Sequence, residues 1–564
     1  MFESFPPGLL LIVGGLLALV LRGTLRSAVL LALPVLGAIQ LWSLPNGLTI
    51  NWQPFEGYLF EVVRVDELSR VFGYVFYLAA FLSVLFSLHV KDTMQQCAGI
   101  AYAGSGVAAL FAGDLITLFV WWELTAVTSV FLIFARRTDR AYRTGVRYLV
   151  VQVLSGVLLL AGALLHYGDT GSLAFGALGL GSLGRDLIFV AFGIKAAFPL
   201  LNGWLQDAYP ESTATGSVWL SSFTTKLAIY ALARGYAGTE ILIPIGCVMT
   251  VFPVFFAVIE NDLRRVLAYS LNNQLGFMVV GIGIGTELAL NGTAAHAFAH
   301  ILYKSLLFMS MGAVLYRTGT VKASELGGLY KSMPWTATFC IIGAAAISAF
   351  PLFSGFTSKS MILTAAAEEH HPIVFLILLF ASAGVLEHSG IKIPYFAFFA
   401  HDSGKRVQEA PRNMLVAMGI AAALCIGLGV FYQPLYALLP HRVPYSPYSM
   451  SHIVTQLQLL VFAIAAFVIL QKLHLYPSER RATILGADWF YRRPLPALAV
   501  WSGRMISAAQ KGFVVASLAT LRGGGRVLRK LYAPPGPLGE PWPTGPAALV
   551  AAILLVVYLV SVYV

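Results

Sequence analysis

Apolar runs long enough to cross a bilayer follow one another along almost the whole chain, and little else can be built from such a succession. A helix needs about 20 apolar residues to span the hydrocarbon core. About sixteen segments approach that length, at roughly 7–22, 27–44, 70–90, 97–113, 114–135, 144–167, 185–205, 212–236, 240–259, 264–285, 289–317, 334–353, 372–398, 413–436, 453–473 and 546–564. Of the 564 residues, 58% are hydrophobic and 11% charged. Soluble domains carry about 25% charged residues, so this chain cannot coat a water-facing surface. A barrel would show short alternating strands instead. The expected fold is therefore an all-α polytopic membrane protein with about 14–16 transmembrane helices. The run Leu9 to Leu21 has no basic start or cleavage site, so it reads as a first span and not as a signal peptide.

The loops test the span order. Arg22 and Arg26 follow span 1. Arg136, Arg137, Arg140, Arg143 and Arg147 follow span 5. Arg264 and Arg265 follow span 9; Arg317, Lys322 and Lys331 follow span 11; Lys405, Arg406 and Arg412 follow span 13. All of these spans are odd-numbered. Loops after even spans hold few basic residues, such as Arg185, Lys359 and Arg442. The alternation follows the positive-inside rule and predicts an N-terminus on the outer side of a bacterial cell (inner) membrane. It also accounts for the net charge of +11 without nucleic acid.

Two stretches look alike. Residues 195–203 read KAAFPLLNG and residues 347–355 read ISAFPLFSG. Pro with a nearby Gly breaks a helix, so Pro199 with Gly203, and Pro351 with Gly355, predict interrupted helices. Spans 4–8 and 9–13 then form two five-helix repeats, and the odd count makes them inverted. Interrupted helices at matching places in two halves point to a transport site. The expected organisation is N-terminal helices over 1–96, repeats over 97–236 and 240–398, and C-terminal helices over 413–564.

Charges within spans cost roughly 2.5–3.5 kcal/mol each on insertion scales. Yet Glu123 lies in WWELTAVTSVFLI, Lys195 in span 7 and Lys226 in span 8. Span 11 carries His296, His300 and Lys304, spaced to share one helical face. Span 13 holds Glu387, His388 and Lys392. An amine cut off from water holds its proton less firmly, and a nearby carboxylate restores it. A Glu–Lys pair that opens and closes is therefore a proton switch, and His titrates near neutrality. Other readings stand beside this one. A single charge can form a structural ion pair, a lone His is commonly a core residue, and Lys392 sits where it could snorkel to the interface.

The segments DLITLFVWWELTAVTSVFLI, KAAFPLLNGWLQDAYPE, TTKLAIYALAR, RRVLAYSLNNQLGFM and HAFAHILYKSLLFMSMGAVLYR resemble the antiporter-like membrane subunits. That family is shared by respiratory complex I, membrane-bound energy-converting hydrogenases and multisubunit Mrp-type cation/proton antiporters. The likeness covers roughly residues 70–400 and implies a core with two inverted five-helix repeats. It implies that Glu123 and Lys195 form the Glu–Lys pair and that Lys226 is the central relay lysine. It further implies that His296, His300 and Lys304 continue the path, with Lys392 as its terminal lysine. Glu387 and His388 would be accessory. One departure is Glu211 to Trp219, ESTATGSVW, where family members often carry a Pro-rich stretch. IKIPYFAFFAHD at 391–402 is similar to the Mrp D-type subunits. The polar region 474–545 carries basic clusters at Arg480–Arg481, Arg492–Arg493 and Arg526–Lys530. Within it, Leu495 to Leu521 reads either as a helix along the membrane surface, with Arg504, Lys511 and Arg522 toward water, or as an ordinary tail. The first resembles the lateral arm of the largest antiporter-like subunits, which would brace neighbouring subunits.

Cys97, Cys247, Cys340 and Cys425 each sit in an apolar run without metal-ligand spacing, so neither disulfide nor metal site is expected. There is no haem or dinucleotide motif, so no cofactor and no redox chemistry in this chain is expected. The reading is a transporter subunit: proton translocation within a multisubunit antiporter for sodium or another monovalent cation, among other membrane subunits. Two alternatives stand beside it, a proton-pumping subunit of a complex I-like or hydrogenase assembly, and a membrane proton channel serving an inorganic-carbon uptake protein.

Overall fold

The computed structural model describes residues 5–56, 58–477, 479, 484, 486, 488–534, 536–541 and 543–563. Ten of the described helices are long and apolar enough to cross a membrane. The protein is a multi-pass, mainly helical membrane protein, and most helix ends fall within a few residues of those expected. Polar caps set many of these ends. Asp66, Asp92, Asp114, Thr138, Ser182, Asp262 and Thr286 each accept a backbone N–H from the first helical turn that follows. Gly171, Gly285 and Gly319 end three helices in the left-handed conformation.

Three expectations are corrected. The first span is only nine residues of helix, Leu9–Leu17. A β-hairpin not anticipated from the sequence, Thr49–Phe55 with Tyr58–Arg64, follows span 2. Span 12 stops at Ile347, and a further helix, Ser354–Glu368, follows where a loop was expected, so Lys359 lies in a helix. The segment 495–521 is part of a longer element: Pro494–Tyr532 is one helix of 39 residues.

The two AFPL sequences break their helices in the same way. Leu183–Lys195 stops and Gly203–Glu211 resumes; Pro334–Ile347 stops and Ser354–Glu368 resumes. Ala197 and Ala349 both take positive φ, 61° and 57°, as do Leu200 and Leu352, at 68° and 73°. Phe198 N–H reaches back five residues to Gly193, and Phe350 N–H does the same to Ala345, at 3.0 and 3.1 Å. Ala197 bonds to Ile194 and Ala349 to Ala346, each at 3.2 Å. These are two Schellman caps with alanine where glycine is the usual choice. Chance recurrence of a tetrapeptide does not account for two matching backbone paths. At Gly355 a Cβ would stand 1.9 Å from the Ala346 carbonyl oxygen, so only glycine permits the return of the chain. Leu200 is 71% exposed, so its side chain contributes little packing to offset its strained backbone. Leu200→Gly should therefore stabilise the protein by about 1 kcal/mol, read as a higher Tm in detergent, whereas Leu200→Val should lower it.

The helix Glu287–Thr318 is buried along nearly its whole length. It packs against Leu263–Ile284, Gly216–Ser222, Pro334–Ile347, Ser354–Glu368 and Arg412–Val430. Around this axis the outward surface is apolar, with Trp42, Val150, Leu164, Phe255, Ile373 and Phe462 all exposed, as suits contact with acyl chains.

The connections sort into two sets. Ion pairs Arg137–Asp92 (2.9 Å), Arg140–Glu211 (2.8 Å) and Lys331–Asp402 (2.9 Å), with the bridge Asp262–Lys322, join connections that follow odd spans. The Arg234–Asp66 pair (2.6 Å), the Asp114–Ala174 bridge and the Gly238–Ile282 hydrogen bond (2.9 Å) join connections that follow even spans. The parity read from the loops is thus geometric.

Residues 485–564 form a separate unit. Its two long helices are Pro494–Tyr532 and Thr544–Tyr563, neither with a buried residue. Arg480 and Arg481 lie outside the described residues.

Candidate functional site

The expected charged residues are almost all buried, and the helix breaks position several of them. Lys195 is the last residue of its helix rather than mid-span, two positions before the strained Ala197. It is fully buried. Its Nζ donates to the Trp122 carbonyl (2.6 Å) and to Thr125 Oγ1 (3.0 Å), 4.4 Å above the Trp122 ring. Glu123 lies within electrostatic range of Lys195 but forms no ion pair with it within 4.0 Å. Its carboxylate packs against Gly156, where a Cβ would meet Oε1 at 1.4 Å, and Oε1 has no hydrogen-bond partner. The structure therefore holds the implied Glu–Lys pair apart.

Hydroxyls lead from Lys195 toward Lys226. Ser129, one turn beyond Thr125, bonds Tyr148 (2.8 Å), and Tyr102 bonds Thr224 (2.6 Å), two residues before Lys226. Lys226 follows a helix interruption at Phe223, is fully buried and donates to the Ser221 carbonyl (2.5 Å).

His296, His300 and Lys304 line the central helix, all at 0% exposure. The two imidazoles stack at 6.1 Å. His296 Nδ1 meets Ser358 Oγ (2.9 Å), and Tyr303 links it to Gln274 (3.1 Å). Neither His300 nitrogen nor Lys304 Nζ has a hydrogen-bond partner. Unsatisfied polar atoms are rare in buried cores, and each calls for an explanation such as function. Both residues lie within electrostatic range of Lys226 and Lys359.

Lys359 was missed from the sequence because it falls in the short helix after the second break. It is 2% exposed, donates to the Ile347 carbonyl at that break (3.0 Å) and lies 5.0 Å from the Phe277 ring. Asn272 was missed too. Its amide donates to the Ala197 carbonyl at the first break (3.0 Å). The signal was present as LNNQ, three amides in an apolar run, read only as a family motif.

His388 and Lys392 are both 0% exposed, so Lys392 does not snorkel. Their helix changes to π-turns at Leu386–Ile391 and Tyr395–Phe399, a distortion that gathers at functional sites. His388 Nδ1 meets Ser389 Oγ (2.8 Å), and Nε2 has no partner. His388 lies within electrostatic range of Lys304, Lys359 and Lys392. Lys392 donates to the Val258 carbonyl (2.6 Å) and pairs with Glu479 (2.9 Å); Glu387 accepts from Tyr476. Lys195, Lys226, Lys359 and Lys392 are thus each held by a backbone carbonyl, a neutral acceptor that binds an ammonium without cancelling its charge.

Two clefts open on opposite faces. One, of about 430 Å³, is lined by Arg136, Arg140, Glu211, Asp262 and Arg264. The other, of about 420 Å³, is lined by Asp66, Arg234, Thr293 and His441, with Thr293 one turn from His296. Among the described residues no group of three or more His, Cys, Asp and Glu could hold a metal ion. The four cysteines are buried and free.

The family model for the transmembrane region of NADH:quinone oxidoreductase and Mrp antiporter subunits matches residues 112–386. The chain is 30% identical over 423 residues to the D-type Na(+)/H(+) antiporter subunit of Alkalihalophilus pseudofirmus, covering 69% of this chain and 85% of that one. It is 28% identical over 430 residues to hydrogenase-4 component B of Escherichia coli, covering 66% of this chain but only 62% of the relative's length. A subunit of the membrane-bound sulfane sulfur reductase, an archaeal respiratory membrane complex, shares the fold with a TM-score of 0.69 at 24% identity, over 80% of this chain and 98% of that one. The buried charges, the paired helix breaks and these likenesses converge: the chain belongs to the antiporter-like membrane subunits shared by NADH:quinone oxidoreductases and Mrp antiporters.

Proposed function

We propose that this chain is the proton-translocating subunit of a multisubunit monovalent cation/proton antiporter, with Na+ as the leading candidate for the exchanged ion. One observation carries the reading: five lysines and three histidines, all buried, run through both halves of the protein. The path we assign runs from Glu123 and Lys195 through Lys226, His300, His296, Lys304 and Lys359 to His388 and Lys392. Basic groups packed so closely in a low dielectric cannot all hold protons at once. A proton gained at one end therefore displaces one further along.

The two broken helices support a repeat organisation, 97–236 and 240–398; the carbonyls freed at the breaks hold the Asn272 amide at the first and Lys359 at the second. The basic loops support an N-terminus on the outer side of a bacterial cell membrane. A second reading has its own support. The likeness to hydrogenase-4 component B, and the 39-residue helix before a last apolar helix, favour a proton-pumping subunit of a complex I-like or hydrogenase assembly, with that helix bracing neighbouring subunits.

The test uses everted vesicles carrying the chain with its neighbouring genes, in a host without its own antiporters, and a dye that reports the proton gradient. Addition of Na+, Li+ or K+ should collapse the gradient for wild type. Glu123→Ala should reduce that response roughly tenfold or more. No response to any cation, at normal membrane expression, would overturn the antiporter reading in favour of the redox-coupled one.

A further inference from the structure

The segment that follows the helix Met450–Lys472 lies outside both proposed repeats, yet it grips the helix that carries Lys392 at two points. Tyr476 donates its hydroxyl proton to Glu387 Oε1, and Glu479 pairs with Lys392 at 2.9 Å. These partners are 89 and 87 residues apart in sequence. Tyr476 is 8% exposed; its ring stacks on Phe396 (6.3 Å) and meets Phe467 edge-on (5.1 Å). The side chains of Glu479 and Lys392 are 7% and 0% exposed. The grip is thus a packed contact and not a surface crossing.

The helix geometry at this place matters. A π-turn accommodates about one extra residue relative to the α-helical turn. The π-turn Leu386–Ile391 brings Glu387 and Lys392, five residues apart, to the same side, where one short strap reaches both. The other acceptor of Lys392, the Val258 carbonyl, cannot take up a proton, whereas Glu479 can. Glu479 Oε2 has no hydrogen-bond partner and lies within electrostatic range of Glu260, which sits in the connection after span 9 and pairs with Arg265 at 3.9 Å. Among the described residues, the titratable and charged groups facing the pair are Glu387 and His388 on the same helix, Glu260 and Tyr476.

We propose that Glu479 is the terminal proton acceptor of the buried path and that Tyr476, through Glu387, is the positioning residue that seats it. This inference rests on the proton-path reading above. In the step, an N–H bond of the Lys392 ammonium breaks and an O–H bond forms on Glu479. The amine becomes neutral, and the carboxylate becomes a carboxylic acid. The pair is neutral overall before and after, so transfer moves no net charge into the low-dielectric interior. A lysine discharging alone would change the charge of its buried site. Glu479 then releases its proton toward the connection that holds Glu260, and the emptied pair accepts the next proton from His388.

The experiment is the vesicle assay, run across pH 6 to 9 (roughly the range in which His and weakly held protons exchange), on Lys392→Ala, Glu479→Gln, Glu479→Asp and Tyr476→Phe, each at matched membrane expression. The expected result is a loss of roughly tenfold or more for Lys392→Ala and Glu479→Gln. Glu479→Asp should recover most of the rate, and Tyr476→Phe should keep partial activity with an altered pH profile. If Lys392→Ala transports normally, the path reading itself fails. If Lys392→Ala is inactive while Glu479→Gln matches wild type in rate and pH profile, the path stands and the terminal role of Glu479 is overturned.

Discussion

Vesicles carrying Lys226→Ala should lose cation-driven collapse of the proton gradient by roughly a hundredfold, the largest functional effect expected of any single change in the path. Lys226 occupies the middle of the proposed path. On one side the hydroxyls of Tyr102, Thr224 and Tyr148 lead back to Lys195; on the other it lies within electrostatic range of His300 and Lys304. Among the described residues no other amine donates to the Ser221 carbonyl, so no neighbour substitutes for it. Lys226→Arg should not restore transport, because guanidinium does not give up its proton in proteins. Transport by Lys226→Ala at the wild-type rate would remove the central relay and, with it, any single path joining the two halves. Stability should change little, because an apolar residue replacing a buried cation relieves a desolvation cost as it loses one hydrogen bond.

The opposite balance holds at Arg264. Its guanidinium is fully buried and donates to the carbonyls of Tyr209, Pro210, Ser212 and Thr213, and to Ser212 Oγ, at 2.9–3.2 Å. It is thus the cap on the C-terminal end of Gly203–Glu211, the helix that resumes after the first break. Arg264→Ala strands several carbonyls at once and should cost about 3 kcal/mol or more, seen as a fall of several degrees in Tm. Arg264→Lys should recover little, since one ammonium cannot span the fork of acceptors. A Tm within about one degree of wild type would mean that the segment Glu211 to Thr215 relaxes to satisfy itself. This segment lies in ESTATGSVW, where the resemblance implies a Pro-rich stretch. Prolines would stiffen that turn, and here hydrogen bonds from Arg264, together with Arg136 and Arg140 on Glu211, hold it.

Membrane character, the order of the spans and most of their ends were legible because each depends on local composition. A helix in lipid must be apolar for about 20 residues and must satisfy its own backbone. The same locality explains the failures. Ser354–Glu368 is too short and too polar to register as a span, so Lys359 looked like a loop residue. The hairpin Thr49–Phe55 and Tyr58–Arg64 is a small element whose alternation was lost between long apolar runs.

The chain order of amino acids determined by itself which residues are charged in the interior, where Pro and Gly interrupt helices, and that two interruptions repeat. Those facts follow from residue type and spacing alone. Tertiary structure decided which of these charges meet. It held Glu123 away from direct contact with Lys195, set four lysines on backbone carbonyls, brought Lys359 within electrostatic range of His300 and Lys304 and supplied Glu479 to Lys392. The reason is physical. Pairing of buried charges depends on distances of a few ångströms between segments far apart in sequence, and no pattern within one segment encodes them.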